Sequence, residues 1–62
     1  MHKIKFIRDM FIGPVECIEE GAVLNLKEYQ NYFEIATDKG YVVCRYANEL
    51  KEEIYQYFIK EK

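Results

Sequence analysis

The chain has 62 residues, half of them apolar and 32% charged, with nine Lys plus Arg against eleven Asp plus Glu for a formal net charge of −2. A domain of about 60 residues buries only roughly 60% of the surface its unfolded chain exposes, so the core is small and a large substrate-enclosing cleft is excluded. The apolar content and low net charge are those of a chain that folds rather than one that stays disordered.

The N-terminal MHKIKF has no apolar run of signal-peptide or membrane-span length, so neither segment is expected and no membrane association follows. Lys3-Ile4-Lys5-Phe6-Ile7-Arg8 alternates charge with apolarity, which predicts a half-buried strand with Ile4 and Phe6 inward. Asp9 to Pro14 reads as a loop carrying Met10, Phe11 and Ile12 outward, since Pro14 has no N–H to give a ladder. Val15 to Ile18 is a short extended run, and Glu19-Glu20-Gly21 is a turn. Ala22 to Leu26 is the next strand, with Ala22, Leu24 and Leu26 on one face, and Lys27 to Asn31 is a polar connection.

Tyr32-Phe33-Glu34-Ile35-Ala36 and Tyr41-Val42-Val43-Cys44-Arg45 flank Thr37-Asp38-Lys39-Gly40, a hairpin in which Gly40 supplies φ > 0. Leu50, Ile54 and Phe58 then recur at four-residue steps with Tyr57 on the same side, predicting a buried stripe on a helix over about 49–60. Asn48 is its expected N-cap, Glu49, Glu52 and Glu53 complement its positive end, and Lys60 and Lys62 its negative end. The expected architecture is one domain over 1–62, mostly β with a C-terminal α-helix: a small, partly open antiparallel barrel over about 3–46 and then the helix.

In its order of Lys3-Ile-Lys-Phe-Ile-Arg, Glu19-Glu-Gly21-Ala-Val-Leu, Tyr32-Phe-Glu-Ile, Asp38-Lys-Gly40-Tyr-Val-Val and Asn48-Glu-Leu-Lys, the chain resembles small SH3-like barrel proteins of phages and prophages of Gram-positive bacteria. The resemblance covers about residues 3–51 and implies an SH3-like barrel, in a phage accessory protein of a group mostly without assigned function. The helix after Leu50 is longer than that pattern carries.

Absences narrow the chemistry. There is no Ser, Thr37 is the only Thr and His2 the only His. A Ser-centred triad therefore has no nucleophile, a Cys-centred one would draw on a frayed N-terminal His, and no enzymatic activity is expected. Cys17 and Cys44 fit neither CxxC nor zinc-ribbon spacing, so free, core-packed thiols in a cytoplasmic protein are expected, with no metal or cofactor. Glu16, Glu19 and Glu20, like Glu49, Glu52 and Glu53, read as solvated caps rather than acid–base pairs.

The apolar residues exceed what so small a domain can bury, which leaves aromatic surface for an unidentified protein partner or a homodimer seam. The expected contact set is Phe11, Tyr29, Tyr55 and Tyr57 as anchors with Glu52 and Glu53 as a rim. The alternative is a small nucleic-acid-binding barrel using Lys3, Lys5, Arg8 and Arg45, with Lys27 and Lys39 extending a positive stripe beside Tyr32, Tyr41 and Tyr46. A third reading makes the two Glu clusters an acidic DNA mimic.

Overall fold

The computed structural model describes residues 1–61, and the N-terminal alternation is realised as β1, His2–Phe6. Ile4 and Phe6 are fully buried while Lys3 and Lys5 are exposed, as a period of two requires. The run expected as an outward loop is instead half of a small hairpin, β2 (Met10–Phe11) with β3 (Cys17–Ile18). Gly13 and Pro14 sit in its connection, where the Ile12 N–H donates to the Glu16 carbonyl at 3.0 Å. Pairing sends alternate side chains to opposite sides, so Met10 and Ile18 enter the core while Phe11 stays out.

Gly21, at φ 93°, turns the chain into β4 (Val23–Glu28), which absorbs Lys27 and Glu28 from the expected polar connection. β5 (Tyr32–Ala36) and β6 (Val42–Ala47) form the expected hairpin. Gly40 is at φ 93°, its N–H donates to the Thr37 carbonyl at 2.9 Å, and the register shifts by a bulge beside Ile35 and Ala36.

The helix expected over 49–60 is shorter and differently bounded. Asn48–Leu50 and Tyr55–Tyr57 are 3₁₀ turns around one α-helical turn, α1 (Lys51–Ile54), and Phe58–Lys60 is a seventh strand, β7. The unpaired side of β1 captures this segment: Ile4 faces Lys60, Phe6 faces Phe58, and the ladder is extended by Ile7 N–H to Tyr57 O and Glu61 N–H to Lys3 O. Lys60 thus belongs to a strand rather than a helix end, and Lys62 lies outside the described residues. Asn48 does not cap the helical segment. Its carboxamide donates to the Gln30 carbonyl at 2.8 Å, fastening the segment to the β4–β5 turn.

All strand pairs are antiparallel, in a five-stranded sheet of order β6-β5-β4-β1-β7 and the separate β2-β3 pair. The fold is mostly β with a short C-terminal helix, and the sheets are not closed into a barrel, because β6 and β7 end the sheet without meeting. The hairpin and the helical segment both pack on one side of it, where Met10, Ile18, Ile54 and Phe58 join Ile4, Phe6, Leu26, Phe33 and Ile35. Among the described residues, no helix is long and apolar enough to cross a membrane.

Leu50 departs from the expected buried stripe and is 40% exposed, while Ile54 is buried. Ile54→Ala is therefore expected to cost about 2–3 kcal/mol and Leu50→Ala under about 1 kcal/mol, read as shifts of the urea midpoint. Equal shifts would contradict the 3₁₀ break at Leu50.

Candidate functional site

The ladder registers sort the sheet into two faces. Opposite the core, β1 presents Lys3 and Lys5, β4 presents Val23, Asn25 and Lys27, β5 Tyr32 and Glu34, β6 Arg45 and β7 Ile59. In the register, Lys3 faces Asn25, Lys5 faces both Val23 and Ile59, and Glu34 lies between Lys27 and Arg45. Four cations from three strands thus share one solvent face.

The single carboxylate among those strand residues is Glu34, and it is buried. The Arg45 guanidinium donates to its Oε2 from both Nε, at 2.9 Å, and Nη2, at 2.6 Å, an arrangement worth more than a neutral hydrogen bond. Arg45 also lies 5.1 Å over the Tyr32 ring, and Tyr32 stacks on Tyr29 with centroids 4.7 Å apart and planes 22° from parallel. Partial desolvation and the neighbouring Glu34 raise the Tyr29 phenol above its ordinary pKa, and Glu34 does the same to Arg45, chiefly through its hydrogen bonds. Tyr29 remains 44% exposed, so an aromatic step borders the basic face.

At the opposite end of β5 from this step, by the β5–β6 turn, the face contains an open cleft of about 260 Å³ lined by Lys3, Val23, Leu24, Asn25 and the turn residue Asp38. The Asn25 Nδ2 donates to the Thr37 carbonyl at 3.5 Å, leaving Oδ1 as its acceptor. Among the described residues, neither Lys3 nor Asp38 has a salt-bridge partner.

The two residue sets expected to bind fare differently. Lys3, Lys5 and Arg45 share the open face, and Tyr29 joins them there. Arg8 does not; its guanidinium lies 5.6 Å over Tyr57. Tyr55 meets Phe33 edge-on at 5.1 Å and Phe58 at 5.1 Å, so much of its ring is spent on the core, and Tyr57 is also half-buried against it. Phe11 is 73% exposed on the small hairpin, and Glu52 and Glu53 are exposed on α1. These residues lie on different elements and form no common cluster around Tyr29.

On the core side, Glu28 accepts the Tyr55 hydroxyl at 2.7 Å and lies within 3.3–3.6 Å of His2, Lys51 and Lys60. The Tyr55 hydrogen bond, opposed by burial and aided by the two lysines, holds the Glu28 carboxyl below its usual pKa. This is a fastening of β4 to the C-terminal segment. Cys17 and Cys44 are free and half-buried, and burial raises the Cys44 thiol, which disfavours the reactive thiolate.

Lys27, Asn25 and Asp38 were not singled out together by the sequence pattern, although the alternation of Val23, Asn25 and Lys27 against Ala22, Leu24 and Leu26 is a readable signal for the first two. No protein-family model, curated protein or solved structure matches the chain.

Proposed function

We propose that this chain is a non-enzymatic module, SH3-like in its chain path, that binds single-stranded nucleic acid on the open face of its sheet. The observation that carries this reading is the sharing of one solvent face by Lys3, Lys5, Lys27 and Arg45, with its one strand carboxylate buried under Arg45. Cations so placed draw in a phosphate backbone, and the exposed Tyr29 ring, backed by Tyr32 and Arg45, offers a base a stacking surface. The overall charge of −2 is compatible with this, because the two Glu clusters lie on the β2–β3 side and on the helical segment. Among the described residues, no helix or β-ribbon projects from this face to enter a major groove, which favours single strands over duplex. The SH3-like part of the reading is supported by the meander order, with the last strand returning beside the first and a hairpin inserted between β1 and β4.

The test is fluorescence anisotropy of a labelled eight-nucleotide single strand over a salt series. Three or four neutralised phosphates give a slope of log K against log salt of about −2 to −3, a loss of roughly 15- to 65-fold between 50 and 200 mM. Absent binding at low salt, or a flat slope, overturns the reading.

A second reading, a protein partner, is favoured by the small hairpin, which is seated on the core by Met10 and Ile18 yet leaves Phe11 73% and Val15 91% exposed. It predicts a stoichiometric protein retained from nuclease-treated lysate and lost with Phe11→Ala.

A further inference from the structure

We infer that the cleft between Lys3 and Asp38 is a guanine-selective base site, an inference that rests on the nucleic-acid reading. At about 260 Å³ the cleft is below the range of roughly 300–1,000 Å³ of drug-sized pockets, and its scale is that of one heterocyclic base. Its walls are chemically distinct: an ammonium from β1, a carboxylate from the β5–β6 turn, a carboxamide oxygen on β4 between them in the sheet, and the aliphatic side chain of Val23. Both charges are without ion-pair partners among the described residues, so neither must break an internal bond to meet a ligand.

The order of donors and acceptors decides which base fits. A carboxylate accepts two adjacent N–H groups, and an ammonium beside it needs an acceptor. Guanine carries two adjacent N–H donors, N1–H and the N2 amino group, followed by the O6 acceptor. Uracil and thymine place one N–H between two carbonyls, and cytosine and adenine offer an amino group next to a bare ring nitrogen that a carboxylate repels. Asp38 therefore takes the N1–H and N2–H edge, Lys3 takes O6, and Val23 lies against the ring. Lys5, next but one to Lys3 on the same face, is left for the phosphate.

Asp38 makes no hydrogen bond within its turn, whose geometry is fixed by Thr37 and Gly40, so Asp38→Asn preserves the fold and changes only the pattern of the cleft. The experiment compares labelled (dT)8 with the same strand carrying one central dG, and with dI in place of that dG, on the wild type and on Asp38→Asn. The wild type is expected to prefer the dG strand by about tenfold or more over (dT)8, and to lose several-fold of that on inosine, which lacks the N2 amino group. Asp38→Asn removes the preference, while its affinity for (dT)8 holds or rises because a negative charge has left the face. Equal binding of the three strands by the wild type, or a dG preference that survives Asp38→Asn, overturns the guanine site and leaves the nucleic-acid reading standing. Failure of every strand to bind at low salt overturns both.

Discussion

Phe33→Ala is expected to unfold the chain. Phe33 is fully buried on β5, opposite Glu28 on one side and Tyr46 on the other, with Tyr46 at 5.8 Å and Tyr55 meeting it edge-on at 5.1 Å. Truncating such a side chain costs about 3–5 kcal/mol. A domain of 62 residues has a total stability of only about 3–9 kcal/mol at 0.05–0.15 kcal/mol per residue. The loss spreads further here, because the Tyr55 ring that rests on Phe33 also carries the hydroxyl that holds Glu28. Far-UV circular dichroism and amide dispersion in a two-dimensional NMR spectrum read the outcome directly. Phe33→Leu, which keeps most of the volume, should fold with a penalty of about 1–1.5 kcal/mol. A folded Phe33→Ala with native dispersion would mean that the core is not organised around β5.

The second large effect concerns binding. Lys3→Glu/Lys5→Glu replaces two of the four cations on the open face by carboxylates, leaving Lys27 and Arg45 against three acids once Glu34 is counted. Oligonucleotide binding is expected to fall at least 100-fold at 50 mM salt, roughly what removing two phosphate contacts and adding two repulsions entails, and the remaining salt slope should flatten. Both lysines are exposed and, among the described residues, in no salt bridge, so the thermal midpoint should move little. Arg8→Glu, outside the face and stacked on Tyr57, is the matched control and should bind almost as the wild type does. A double variant that keeps its affinity would move the site off this face.

Local signals wrote much of this architecture into the sequence. The β5–β6 hairpin was legible because Gly40 sits where only a residue free to take φ > 0 closes the turn, and β1 because its charges alternate with Ile4 and Phe6. The C-terminal segment was not, for a physical reason. Ile54 and Phe58 are four apart, which fits one helix face, yet Phe58-Ile59-Lys60 also alternates, and the choice between the two falls to the vacant side of β1, which no local pattern reveals. Asn48 has the residue type of a cap but spends its amide on the Gln30 carbonyl, a partner 18 positions away.

The candidate site shows the same division. Which side of its strand each of Lys3, Lys5, Lys27 and Arg45 occupies follows from alternation once strand limits are known. That those sides coincide depends on registers set by the turns, and that Asp38 reaches the cleft depends on how the hairpin leans over β4. Tyr55 and Tyr57 illustrate the converse: a surplus of aromatics suggested exposed anchors, and the short helical segment turned both rings toward the core.

The return of β7 to lie beside β1 governs when the molecule can come into being. Phe6 has no Phe58 to face, and β1 no second neighbour, until residues 58–60 have been synthesised and brought across nearly the full length of the chain. Contacts of such long sequence separation are expected to make the domain fold more slowly than helical bundles, whose contacts are local. A nascent chain halted at Tyr57 would hold the hairpins and the central meander but not the strand that completes the sheet. Residues 58–60 thus decide when β1 gains its second neighbour and Phe6 its aromatic partner.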